Sequence, residues 1–166
     1  MLKHARHEEF HVTVTGDPIR WHAFCTDHGI KPLYIELNNF ERQLMCAVPY
    51  DPSPAIKNHG AFVIVRLKYE VQVAPSMHEP GAKYYEVHCK LDGPFMPGEW
   101  MASRDLYRDE RWYITERKPT PFEPADFAAM VYKRYPSQYV EFEYEAAIVD
   151  TNPWLDRNWT FRHPGF

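Results

Sequence analysis

The sequence predicts an α+β fold made of two matching halves, and three observations carry that expectation. Alternating apolar and polar residues mark strands throughout the 166-residue chain, and two segments carry helical spacing instead. A single shift of 77 residues lays Glu9-Phe10-His11-Val12-Thr13 onto Glu86-Val87-His88-Cys89-Lys90. The same shift lays Phe62, Val63, Val65 and Leu67 onto Tyr139, Val140, Phe142 and Tyr144, so opening and closing strands match together.

The elements follow in order. Residues 9–16 (EFHVTVTG) alternate as a strand, and Asp17-Pro18 then supplies an N-cap with proline at the first helical position. The helix predicted over 17–28 aligns Trp21, Phe24 and Cys25, and Gly29 closes it. KPLYIEL (31–37), the turn pair Asn38-Asn39 and RQLMCAV (42–48) read as a hairpin. PYDPSPAIKNHG allows one or two helical turns, and AFVIVRLKYEVQV (61–73) is the longest strand. KYYEVHCKL (83–91) opens the second half. A short helix is placed around Met101–Tyr107, a strand at 111–117, a helix at 124–135 and a long strand at 138–149. Each half approximates β-α-β-β-α-β, the ferredoxin-like order, with the third strand of the second copy lost or blurred. The organisation expected is one domain over 1–166, with repeats at 8–75 and 83–152 and antiparallel sheets around a shared cleft. A strap follows at 153–166, anchored by Trp154 and Trp159.

Composition bounds the rest. Hydrophobic residues make up 45% and aromatics 16%, enough for a true core. The net charge of −4 argues against an extended nucleic-acid duplex as partner. No apolar run approaches the ~18–20 residues of a membrane helix, and the first ten residues lack a signal-peptide core. Cys25, Cys46 and Cys89 form no close pair and read as buried hydrophobes in a reducing, cytoplasmic setting. His4, His7, His22 and His28 read as surface residues. Walker A, G-x-G-x-x-G, G-x-S-x-G and H-E-x-x-H motifs do not occur. The sequence sets no oligomeric state.

Residues two apart share a strand face, so Glu9, His11 and Thr13 point one way, as do Glu86, His88 and Lys90. Two imidazoles suit proton transfer near neutral pH, which makes His11 and His88 the candidate catalytic pair. Thr13, Lys90, Arg66, Lys68, Glu9 and Glu86 are the candidate substrate-binding residues, with hydroxyl and positive charge for phosphate oxygens. Phe-His-Val-Thr-Val at 10–14 resembles one motif of the 2H phosphoesterases, a duplicated α+β family with one His-x-Thr/Ser strand per half. The resemblance implies acid–base cleavage of a phosphodiester without a metal. The second strand departs from it, with Lys90 where the family has Thr or Ser. The ligand expected is small and phosphate-bearing, a nucleotide or oligonucleotide, and the protein is either a phosphoesterase or a catalytically silent binder. No cofactor is required.

Two other arrangements compete with this one. Arg66 and Lys68 form a basic ladder and Glu141, Glu143 and Glu145 an acidic one, and the 77-residue shift pairs Arg66 with Glu143 and Lys68 with Glu145. As sheet neighbours these would be ordinary cross-strand salt bridges. The ladders also resemble those of the triphosphate tunnel enzymes, and Glu86-Val87-His88-Cys89-Lys90 echoes their E-x-E-x-K motif with histidine replacing one glutamate. That resemblance implies a metal-dependent phosphohydrolase using Mg²⁺ or another divalent ion on Glu141, Glu143 and Glu145. Two His and two Glu on paired strands could also hold a divalent ion as in duplicated vicinal-oxygen-chelate folds. The remaining class is a non-enzymatic protein-interaction module. Parity predicts Val63, Val65, Leu67, Val140, Phe142 and Tyr144 buried against the helices at 17–28 and 124–135. Arg66 and Lys68 then share the open face of His11, and Glu143 and Glu145 that of His88.

Overall fold

Eleven elements follow one another along the chain in a computed structural model that describes residues 7–37, 41–93, 102–105 and 111–152. They are β1 (Glu8–Thr15), α1 (Pro18–Asp27), β2 (Pro32–Leu37), β3 (Glu41–Val48), α2 (Ser53–His59), β4 (Val63–Gln72), β5 (Tyr84–Leu91), β6 (Ala102–Asp105), β7 (Trp112–Lys118), α3 (Pro124–Arg134) and β8 (Tyr139–Asp150). The Asn38-Asn39 turn, His4 and the strap at 153–166 with Trp154 and Trp159 lie outside the described residues. The helix starts behave as their sequences dictate. Asp17 accepts hydrogen bonds from the backbone N–H of Ile19 and Arg20, with Pro18 at the first helical position. Gly29, at φ +65°, then lets Ile30 N–H reach back to the Cys25 carbonyl at 2.7 Å.

The eight strands close into one antiparallel barrel in the order β1-β3-β2-β6-β7-β5-β8-β4. The fold is therefore α+β, but the expected pair of sheets facing a cleft is replaced by a single closed wall. The two halves appear in it with the same internal order, β4-β1-β3-β2 and β8-β5-β7-β6, joined where β2 pairs with β6 and β4 with β8. The second half keeps all four strands; the one expected to be lost or blurred is accounted for by β6, four residues long. The helix placed around Met101–Tyr107 is in part a strand, since 102–105 is β6; positions 101, 106 and 107 lie outside the described residues. Closure leaves every strand paired on both sides, which removes the exposed edges an open sheet must protect.

Parity within the strands is kept: the apolar face lies against the helices as expected, and the polar face, expected to line an open cleft, is enclosed by the barrel. The apolar face turns outward beneath the helices. Val12, Val14, Cys46 and Val48 pack with Trp21, Phe24 and Ile56 of α1 and α2, while Val87, Cys89, Ile114 and Tyr144 pack with Phe127 and Val131 of α3. The polar face turns into the barrel, where Lys68, Glu70, Glu86 and Glu145 are buried. Left unpaired, charges buried in this way would cost several kcal/mol each. Here Lys68 is paired with Glu70 and Glu86, and Glu145 lies beside Glu70 and His88.

Burial of the long strands is corrected in detail. Tyr144 is buried and Leu67 half-buried, but Val63 is 65% exposed and Val65 49%, and Val140 and Phe142 are also exposed. Bulges account for two of these. Register passes from Thr13↔Arg66 to Val14↔Ile64, leaving Val65 as the extra residue, and from Lys90↔Glu141 to Leu91↔Tyr139, leaving Val140. Ile64 and Leu67 pack against the α1 cluster in place of the valines. Val63 sits at the strand end opposite Thr15.

The outward core should therefore be sensitive to truncation where the exposed valines are not. Ile114→Ala should cost about 2–5 kcal/mol in denaturant unfolding, and Val65→Thr no more than ~0.5 kcal/mol. Equal losses would contradict this assignment of faces.

Candidate functional site

Alternation and register bring the predicted residues together inside the barrel. His11 lies opposite Lys68 and Thr13 opposite Arg66 across β1 and β4; His88 lies opposite Glu143, Glu86 opposite Glu145 and Lys90 opposite Glu141 across β5 and β8. The expectation that Arg66 and Lys68 share the face of His11, and Glu143 and Glu145 that of His88, is met. The pairing expected between the two ladders is not. Tyr69↔Val149 is followed by Glu70↔Ala147, so Ile148 is an extra residue on β8, and Asp150 comes opposite Lys68. Arg66 accordingly grips Asp150 through two hydrogen bonds, at 3.0 and 2.6 Å, and Lys68 turns to Glu70 and Glu86.

Glu86 is the hub. Its carboxylate accepts from Lys68 Nζ on β4 and, at 2.7 and 2.5 Å, from Arg117 Nε and Nη2 on β7. β8 lies between β4 and β5 in the wall, so the Lys68–Glu86 bond spans the interior. Tyr84 lies beside the same cations, with the Arg117 guanidinium 4.6 Å and the Lys68 ammonium 5.8 Å from its ring centre, and donates to Asp150 at 2.5 Å. Burial alone would raise the Glu86 carboxyl, but Arg117 and Lys68 hold it well below the usual carboxylate range. Burial alone would lower Lys68, yet Glu70 and Glu86 hold it well above the usual lysine range.

The histidines sit in different environments. His11 Nε2 lies 2.7 Å from both Glu9 Oε1 and Glu70 Oε1, and one N–H serves only one of them. Burial opposes its charge, but the Glu70 and Glu9 carboxylates outweigh this and lift the imidazole to about 9. His88 is held at Nδ1 by Thr115 Oγ1 at 2.7 Å, and its Nε2 lies 3.1 Å from Glu86 Oε1 and 3.7 Å from Glu145 Oε2. Glu145 differs from the other carboxyls. Burial, and then the adjacent Glu70 carboxylate, push it well above the usual range. Toward one end of the barrel, Lys90 bridges Glu141 and Glu143 at 3.0 and 3.2 Å, and both carboxylates are exposed. Of the three acidic residues singled out for metal, only Glu145 lies in the buried centre.

Among the described residues the lumen gathers two sets of oxygen and nitrogen donors able to hold a cation: Glu70, Glu86, His88 and Glu145, and Glu9, His11 and Glu70. Glu70, Arg117, Asp150, Tyr84 and Thr115 complete the site without having been singled out from sequence. Glu70 and Tyr84 could have been found by continuing the two-residue period of Lys68 and Glu86, and Asp150 is hidden by the bulge before it. The three cysteines are free and buried, and burial pushes each thiol up to about 12, which leaves them inert. No helix among the described residues is long and apolar enough to cross a membrane. Comparison with protein-family models, with curated proteins and with solved structures finds no match to this chain.

Removing one partner from the hub should strand buried charge. Glu86→Gln or Lys68→Met should cost about 3–5 kcal/mol in unfolding free energy, whereas Glu145→Gln, at a carboxyl whose charge burial and Glu70 disfavour, should leave stability at pH 7 unchanged or raised. A large loss in Glu145→Gln would show that it is charged and paired.

The His11 clamp gives a pH dependence of defined sign. Its folded-state value of about 9 lies above the ordinary 6.5, so its contribution is fully present below pH ~6.5 and lost as pH rises through about 9. Unfolding curves collected across that window should lose this slope in His11→Gln. An unchanged slope would mean that His11 is not clamped as a cation.

Proposed function

We propose that the barrel lumen binds a small phosphate-bearing ligand together with a divalent cation, and that the protein acts on it as a phosphohydrolase of the tunnel type. One observation carries this reading: the cationic, acidic and imidazole side chains of both halves converge inside one closed wall whose apolar face is turned out. Stability alone gives little reason for such an interior, since buried ion pairs are often matched or bettered by hydrophobic packing. A converging cluster of perturbed titratable groups is what a binding or catalytic site requires. The matching strand order of the halves also supports a duplicated ferredoxin-like origin. Free, buried cysteines suit a reducing, cytoplasmic setting.

Charge balance favours a cation-assisted mode over the metal-free acid–base mode. Among the described residues, four positive groups at the centre (Arg66, Lys68, Arg117 and imidazolium His11) face four carboxylates (Glu9, Glu70, Glu86 and Asp150), while burial and Glu70 disfavour charge on Glu145. A bare phosphate anion gains no net attraction there. A general base must be free of its proton near neutral pH, and His11 is held as a cation by two carboxylates.

The donors fit a divalent ion, because Glu145 Oε2 is buried without a hydrogen-bond partner beside Glu70 and His88. Glu70, Glu86, His88 and Glu145 would hold it, and when bound it would supply charge neutralisation at phosphoryl oxygens. The chain's own cations do the rest. Lys68, Arg66 and Arg117 stabilise negative charge on the transferring group, their positions fixed in advance by Glu86 and Asp150. Lys90, at the exposed end, can leave Glu141 or Glu143 for an incoming phosphate.

Thermal shift of the full chain tests the reading with inorganic triphosphate, nucleoside triphosphates and cyclic nucleotides, each with Mn²⁺, with Mg²⁺ or with EDTA. A ligand at 100 times its Kd adds about 2.7 kcal/mol. The expected result is stabilisation by a phosphate compound only when a divalent ion is present. Stabilisation that survives EDTA would restore the acid–base mode on His88 and His11, and indifference to every phosphate compound would sink the phosphate-ligand reading.

A further inference from the structure

We infer that Glu70, Glu86, His88 and Glu145 form a site selective for a transition-type divalent cation of the Mn²⁺ class over Mg²⁺ and Ca²⁺. This deepens the cation-assisted reading above, on which it rests for its link to function, and the metal site itself stands on separate geometry. One donor atom from each of the four side chains lies within 4.8 Å of the others, and the donors come from β4, β5 and β8. Glu145 Oε2, on a residue more than nine-tenths buried, points into this group without a hydrogen-bond partner. A buried oxygen of that kind costs free energy unless a cation or donor meets it.

The imidazole sets the selectivity. Thr115 Oγ1 sits 2.7 Å from His88 Nδ1, on the far side of the ring from the carboxylates. Nε2–H can donate to Glu86, 3.1 Å away; with Nδ1–H donating to the Thr115 hydroxyl instead, Nε2 would offer its lone pair to a cation between it and Glu86 and Glu145, the latter 3.7 Å away. This is how a metal-ligating histidine is oriented by a second partner. Three carboxylates alone would suit Mg²⁺ or Ca²⁺, whereas one nitrogen donor shifts preference toward Mn²⁺, Fe²⁺, Co²⁺ or Zn²⁺. Mg²⁺ is further disfavoured because it keeps most of its waters, and the carboxylates here are buried.

Lys68 refines the geometry. Its ammonium already lies on Glu70 and Glu86. The ion is therefore held chiefly from the side of Glu145 and His88, and these two residues should control it. Changing either leaves the Glu86 hub intact.

The test uses EDTA-treated full-length protein titrated with Mn²⁺, the free ion being followed by electron paramagnetic resonance and Mg²⁺ binding by calorimetry. The expected result is one saturable Mn²⁺ site, with Mn²⁺ bound about tenfold or more tighter than Mg²⁺. Glu145→Gln should weaken both ions about tenfold, and His88→Gln should erase the preference for Mn²⁺ while keeping Mg²⁺ affinity. Circular dichroism of both variants checks that the fold is retained. Absence of a saturable Mn²⁺ site, or binding indifferent to both substitutions, would overturn the proposal, the latter placing the ion on other histidines. Triphosphate stabilisation measured in parallel separates the two ideas. Mn²⁺ binding without any triphosphate effect leaves the metal site standing and removes the phosphate reading. Triphosphate stabilisation without Mn²⁺ selectivity does the reverse.

Discussion

The buried carboxylate of Glu86 is the interaction on which the interior depends. It is gripped by Lys68 from β4 and Arg117 from β7 while its own strand, β5, lies in the wall beside β7 and β8. Without it Arg117, whose guanidinium cannot shed its proton, would lose its carboxylate in a low-dielectric space and have to draw in water, and Lys68 would keep only Glu70. With it, the lumen becomes a set of nested pairs. Glu70 completes Lys68, His11 completes Glu70, and Asp150 holds Arg66 to one side. The apolar outer face follows from the same choice, because strands that send every second side chain inward as ions must find their hydrophobic partners outside. The helices supply them.

How far the sequence could be read is clearest on the strands themselves. The shift linking Glu9–Thr13 with Glu86–Lys90 identified equivalent strands β1 and β5, and it placed both histidines on faces that meet. Alternation also showed correctly that Arg66, Lys68, Glu143 and Glu145 share a face with them. It could not say which face was inside, because a period of two is the same for a sheet wetted on its polar side and for a barrel closed around it. The long-range pairs β2–β6 and β4–β8 decide that. The bulges at Val65, Val140 and Ile148 were equally invisible, since an extra residue in a strand has no composition of its own. Those at Val65 and Val140 moved two valines to the surface, that at Ile148 brought Asp150 opposite Lys68, and the β4–β8 register itself put Gln72 rather than Lys68 opposite Glu145.

Between the halves, sameness of position goes with difference of charge. His11 and His88 correspond under the repeat, yet one is clamped by two carboxylates and the other hangs from a threonine. Lys68 corresponds to Glu145, Arg66 to Glu143, and Glu70 to the small Ala147. Two identical halves would place like charges against one another across the barrel. The observed divergence sets cations of the first half against carboxylates of the second, so neither half could balance its own charges alone. Complementarity of charge is what makes the two halves one object.

Closure also dictates how the chain must find its shape. The pairs within each half join segments some tens of residues apart, but the β4–β8 seam joins residues such as Arg66 and Asp150, 84 positions apart. Closing so long a loop costs chain entropy before any contact rewards it. Each half is therefore expected to assemble its outer apolar face first, with the seam and its ions zipping last; low φ-values at Arg66 and Asp150 would be the kinetic signature. In that sequence of events the charged lumen stays open to water until the wall is nearly complete. Its ions give up their hydration only once their partners are in place, which spares the chain a trapped charge on the way.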